Sequence, residues 1–167
     1  MKVMLEKNSG LIKDNNLKSQ ITQKGFGFRK GLEMYLDLFE CFYFLEKKKI
    51  IIVDKNNKTI STKELEKTCN KEISDFSEKY LVFKELTNKG CVVKDGNIFG
   101  FDFRVYQKSK AGEHTHTEMV VDVFKSTKIA TREIIKSERL ATTIRAKFVM
   151  AIVDKEERIQ FIKIEKI

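Results

Sequence analysis

The sequence predicts a mixed α/β (α+β) protein in two halves, and three observations predict it. Up to Gly90 the apolar residues fall mainly in helical stripes; beyond it they fall in short strand-like runs. A strong hairpin signal, Asp95–Gly96, sits just past that change of texture. With 167 residues, 41% of them hydrophobic and 13 of them Phe, the chain can bury a real core, as one domain or two small ones.

Each element has a local reason. "VMLEKNSGLIKD" reads as a small hairpin turning at Asn8–Gly10. After a Gly-punctuated loop, Leu32, Leu36, Phe39 and Tyr43 recur at helical spacing, with Glu33, Asp37 and Glu40 on the other face. "KIIIVD" reads as a buried strand and "KNNK" as a turn. "STKE" at Ser61–Glu64 matches a capping box, with a hydroxyl of Ser61 or Thr62 over the first free amides. Ile73, Phe76, Tyr80 and Phe83 continue a helical stripe towards Gly90, a natural C-cap. Beyond it, "CVVKDGNIFGFDFRVY" predicts two strands, with Phe99, Phe101, Phe103 and Val105 on one face and Asp102, Arg104 and Tyr106 on the other. "EMVVDVF" is a third strand, "TREIIKSERLATTI" a helix capped by Thr131, and the last twenty-odd residues form two strands around an acidic turn. Four or five strands with helices packed on them are expected in this half. No internal repeat or low-complexity linker stands out.

The net charge of +9 and pI near 9.4 suit a protein that meets phosphate, or one with a lysine-rich solvated surface; composition leaves both open. Cys41, Cys69 and Cys91 are far apart and form no CxxC, which excludes a zinc ribbon and a redox pair and predicts reduced thiols in the cytoplasm. The N-terminus lacks an apolar signal core. The most apolar stretch is broken by Glu33, Asp37, Glu40 and Glu46, so no membrane span is expected.

Both histidines of the chain, His114 and His116, lie between Tyr106 and the following strand. A connection between neighbouring strands returns towards its origin, so Tyr106 and one histidine can come within reach of each other on a rigid support. Imidazole can donate a proton to a leaving oxygen near neutrality. A phenol can accept one if nearby cations lower its pKa. The plainer alternatives are a packing tyrosine with a satisfied hydroxyl, and half of a metal site. For the latter no third His exists and no Cys is near in sequence, which ranks metal well below acid–base chemistry.

Three segments, "YLVFKELTNKGCVVKDGNIFGFDFRVY", "EHTHTEMVV" and "RLATTIRAKFVMAIVD", resemble the catalytic domain of the archaeal tRNA-splicing endonuclease. The most specific part is Gly-x-x-(Phe/Tyr)-Gly-x-Asp-Phe-Arg-x-Tyr, present from Gly96 to Tyr106. The N-terminal half is similar to the smaller domain of the short, single-repeat form. The resemblance implies an N-terminal α/β domain over 1–78 and a catalytic domain over 79–167. The second would be restriction-endonuclease-like, a mixed central sheet flanked by helices.

In that family a Tyr, a His and a Lys cut RNA without metal. The resemblance puts the tyrosine on Tyr106 and the histidine on His116 rather than His114. For the lysine it gives Ala146, with Lys147 one residue later. Adjacent residues diverge on a strand or a helix, so Lys147 is not an automatic substitute. An engineered inactive variant, a weakened or structural subunit, and a local shift that lets Lys147 serve all remain open. The family reaction is attack by a ribose 2′-hydroxyl on its own phosphate within the bulge–helix–bulge of precursor tRNA. It leaves 2′,3′-cyclic phosphate and 5′-hydroxyl ends. Arg104, Lys108, Lys110, Arg139 and Arg145 are the candidate RNA contacts. A homotetramer is implied, in which the acidic turn bearing Asp154, Glu156 and Glu157 enters a basic pocket of another subunit. Two other readings compete: a non-catalytic RNA-binding or structural subunit, and a metal-dependent DNase. The second needs a D/E-x-K strand, whose spacing "DVFK" (Asp122, Lys125) does not match.

Overall fold

The computed structural model describes residues 2–107, 118–125 and 129–165, which fall into two compact units, 1–76 and 77–167. Mixed α/β structure is found in both.

In the first unit, β1 (Lys2–Glu6) and β2 (Ser9–Ile12) form the expected hairpin. Helix α1 (Asn15–Gln23) follows, its first turn capped by Asp14, which accepts from the Leu17 amide at 2.8 Å. The sequence reading missed this helix because its face carries only two core residues, Leu17 and Ile21. The helix expected across Leu32–Tyr43 is instead a hairpin followed by a shorter helix: β3 (Phe28–Lys30), β4 (Glu33–Asp37) and α2 (Leu38–Glu46). The switch occurs at Asp37, whose carboxylate accepts from the Glu40 amide while Glu40 accepts from the Asp37 amide. Glu40 is fully buried; its second oxygen accepts from the Gly27 amide at 2.9 Å, which ties the preceding loop to the helix. Strands β5 (Ile51–Val53) and β6 (Thr59–Ile60) complete a sheet of order β3-β4-β2-β1-β5-β6. Ser61 caps α3 (Thr62–Glu72) by the capping box read from sequence. The stripe through Ile73 does not continue as one helix. Ile73 is extended and Asp75 left-handed (φ 56°), so α4 (Phe76–Asn88) starts afresh. Ser74 and Asp75 are residue types whose side chains compete with helical backbone bonds. Phe76 stacks on Phe39 and meets Phe42 edge-on within the first unit.

The second unit holds a sheet of order β11-β10-β9-β8-β7, built from β7 (Cys91–Asp95), β8 (Phe103–Gln107), β9 (Met119–Phe124), β10 (Lys147–Val153) and β11 (Ile159–Ile164). Only the β9–β10 pair is parallel, and α5 (Thr131–Thr143) forms its crossover. Helix α4 covers one face, through Phe83 against Phe103 and Lys89 over the Phe161 ring. Helix α5 covers the other, where Ala141 packs with Phe101, Val120, Phe148 and Met150. Thr131 does not cap α5; the cap position is Ala130, with no side-chain bond.

The β7–β8 connection is longer than a two-residue turn. A 3₁₀ turn, Asn97–Phe99, follows Gly96, and β8 begins only at Phe103. Phe99 and Phe101 therefore join the α5-side core, opposite Phe103, rather than sharing its face as expected.

A repeat does exist, at the scale of one turn. "IVDKNNK" ends β5 and "IVDKEER" ends β10, a hundred residues later. In each, the Asp carboxylate accepts from the amides two and four residues on, at 2.8 and 2.9 Å. The fourth residue is left-handed in both, Asn57 at φ 66° and Glu157 at φ 61°.

Candidate active site

The end of β8 and the starts of β9 and β10 lie side by side at one end of the central strands of the second sheet. Val105, Met119 and Lys147 form one row across the three strands. The Glu118 amide donates to the Val105 carbonyl and the Lys147 amide to the Glu118 carbonyl, both at 3.1 Å. One step further along, Tyr106, Glu118 and Ala146 make the next row. Opposed residues share a face and successive residues alternate. Tyr106 and Ala146 therefore belong to the α5 face and Lys147 to the α4 face. Packing agrees, since Ala146 touches the α5-side core that contains Phe148 and Val120. Two strand spacings, about 10 Å at backbone level, separate Tyr106 from Ala146.

Local structure fixes position 146. Helix α5 ends at Ile144, and Arg145 takes the left-handed conformation (φ 57°) usually left to Gly or Asn. The Ala146 amide returns to the Ala141 carbonyl at 2.9 Å. Beside Ala146 lies an opening of ≈ 380 Å³, bordered by Thr142, Phe148 and Ile164. Lys147, also on its border, is exposed.

The motif leading to Tyr106 shapes the strand that carries it. A Cβ on Gly96 would meet the Phe101 carbonyl oxygen at 2.7 Å and the Phe103 backbone at 2.9 Å, so only Gly allows the chain to double back there. Asp102 accepts from the Val123 amide and pairs with Lys79 of α4 at 2.7 Å. Asp122 accepts from the Asp102 amide and from the Ser137 hydroxyl of α5. These bonds connect both helical layers to the β8–β9 pair. Burial, and secondarily the Asp102 charge, push the Asp122 carboxyl up to about 6. All four oxygens of the two carboxylates are engaged, and among the described residues no group of three or more His, Cys, Asp or Glu could hold a metal ion. Lys125 pairs with Glu78.

Of the other candidates, Arg104 donates to the Asp95 carbonyl at 2.8 Å and lies over the Phe99 ring, a role in bracing the hairpin. Arg139 and Arg145 are exposed on and after α5. His114, His116, Lys108 and Lys110 lie outside the described residues. In the acidic turn, Asp154 is committed to turn amides and to Arg158 (2.7 Å), and Arg158 also reaches Glu156 at 3.1 Å. The sequence reading missed the bracing pair Asp102–Asp122; an acidic residue within each of two adjacent predicted strands was its only signal. No described helix is long and apolar enough to cross a membrane.

Comparison with known proteins identifies the family. Residues 76–161 match the tRNA intron endonuclease catalytic C-terminal domain, and residues 1–66 match the tRNA intron endonuclease N-terminal domain. A tRNA-splicing endonuclease of Pyrococcus abyssi is 33% identical over 143 residues, covering 85% of this chain and 81% of its own. That of Methanopyrus kandleri is 33% identical over 145 residues, covering 85% and 80%. That of Pyrococcus furiosus is 34% identical over 142 residues, covering 85% and 81%. The chain belongs to the tRNA intron endonuclease family.

Proposed function

We propose that the chain is a cytoplasmic, metal-independent endoribonuclease that excises introns from precursor tRNA at bulge–helix–bulge motifs. In this reading Tyr106 takes the proton of a ribose 2′-hydroxyl, whose oxygen attacks the adjacent phosphorus. His116 gives a proton to the departing 5′-oxygen. The products are a 2′,3′-cyclic phosphate and a 5′-hydroxyl end. Bulged nucleotides are substrates because, unstacked, they reach the in-line geometry that an A-form duplex forbids. The observation that supports the reading is that Tyr106 and position 146 share one row and one face, at the strand ends next to the histidine segment in sequence. A lysine at 146 would stand on the same face as Tyr106 and stabilise the charged phosphorane. Alanine there makes this chain a slow enzyme. Arg139 and Arg145 contact the RNA backbone, and four copies assemble through the acidic turn.

Ala146 also favours a second reading, a structural subunit that holds bulged RNA for another, lysine-bearing chain. One assay separates the two. A bulge–helix–bulge RNA is incubated with the protein in EDTA and its ends are identified. Slow cleavage to cyclic phosphate supports the enzyme; tight binding with no cleavage, unchanged in Ala146→Lys, supports the structural subunit. Cleavage that requires magnesium overturns both.

A further inference from the structure

The first unit carries a surface that the cleavage reaction leaves unused. All three residues of the edge strand β3 are exposed, and Phe28 among them shows 43% of its area to solvent. Its ring stacks on Tyr35 across the β3–β4 pair, with centroids 5.8 Å apart and planes 23° from parallel. Tyr35 is held in place: its hydroxyl donates to Glu33 at 2.7 Å, with Glu6 at 3.5 Å. The Glu33 bond and neighbouring carboxylate charge push the phenol up to about 12, so it stays neutral. Beside the stack opens a depression of ≈ 850 Å³ bordered by Lys7, Lys30 and Lys55. Glu6 and Asp54 also border it; Asp54 accepts from the amides of Asn56 and Lys58, and Glu6 lies on the Tyr35 side. The three ammonium groups make no ion pair among the described residues.

One exposed aromatic face on a second ring, beside a depression whose border carries three lysines against two carboxylates, suits a π-face with an adjoining negative charge. A protein partner would ask for a broader apolar patch. We infer that this surface is a stacking platform for one unpaired nucleotide of the RNA substrate, with the base on Phe28 and its phosphates near Lys7, Lys30 and Lys55. The inference rests on the RNA-cleavage reading above.

The test is fluorescence anisotropy of the full chain with precursor tRNA. Phe28→Ala should weaken binding about tenfold, and Phe28→Trp should bind at least as tightly as wild type. The Lys7/Lys30/Lys55 triple Ala variant should flatten the slope of log affinity against log salt by about 2. Irradiation of 5-iodouridine-substituted RNA with wild type should label the peptide containing Phe28, which keeps the test valid if Phe28→Ala fails to fold. If wild type does not bind precursor tRNA, the proposed function falls and takes this inference with it. If wild type binds while Phe28→Ala binds equally well and no label reaches that peptide, only the platform is overturned. A changed mass by light scattering with unchanged RNA affinity also overturns it, and marks a contact between copies.

Discussion

Position 146 holds a methyl group on the same face as Tyr106, while the nearest ammonium in sequence, Lys147, stands on the opposite face. That difference separates two neighbouring substitutions. Ala146→Lys should raise single-turnover cleavage by about 10²–10³ with little change in RNA affinity, since a preorganised cation acts on the transition state. The opening beside Ala146 gives the longer side chain room. Lys147→Ala should leave the rate nearly unchanged; loss of strong activity in that variant would show that Lys147 reaches the phosphate after all. Asp122 makes a separate prediction, about stability. Its folded pKa, about 6, lies above the ordinary 3.8, so the neutral form is favoured on folding. That contribution is complete below about pH 4 and is lost as pH rises through 6, on the order of 3 kcal/mol. Asp122→Asn keeps an acceptor for the Asp102 amide and cannot ionise. Urea titrations should find it more stable than wild type at pH 7 and indistinguishable near pH 4. Asp154 and Glu64, held low by turn and cap hydrogen bonds, act with the opposite sign and weaken both proteins as acid is added.

Among the elements, the β7–β8 connection does most to place Tyr106, and Gly96 is its tightest point. Gly96→Ala must move backbone rather than a side-chain tip, so a loss of about 1–3 kcal/mol or more is expected in thermal unfolding. Hydrogen exchange should quicken in β7 and β8 before β10. How far the elements could be read from sequence follows the same logic of local against distant causes. The capping box at Ser61 and the strands β5, β9 and β10 were legible because neighbours in the chain determine them. The stripe through Leu32 and Leu36 misled, because a short strand entering a short helix imitates helical spacing over a dozen residues. Only the reciprocal bonds of Asp37 and Glu40 mark the switch. Phe99 and Phe101 were assigned to the wrong face because a 3₁₀ turn resets alternation before β8 starts. Tyr106 and position 146 could be named from the motif, but that they share a face emerges only from strand register.

For the whole molecule, charge and assembly are the measurable properties. A chain of net charge +9 displaces counterions when it meets phosphate, so affinity for precursor tRNA should fall steeply between low and moderate salt. A flat salt response would place the RNA elsewhere than the basic surface. For assembly, Glu156 and Glu157 are the informative positions, since Asp154 is occupied in building the turn. Glu156→Ala/Glu157→Ala should reduce the mass measured by light scattering while leaving the β10–β11 hairpin intact, whereas adding Asp154→Ala should also loosen the hairpin. A wild-type mass of one chain would remove the tetramer from consideration. The turn after β5 shows why the acidic tip can be altered so freely. There the same Asp-centred backbone carries Asn, Asn and Lys in place of Glu, Glu and Arg, and so presents the opposite net sign. The first residue of the turn sets its shape and the later ones its charge. The tip is thus an interchangeable part, whose electrical polarity can drift or reverse without the sheet beneath it having to refold.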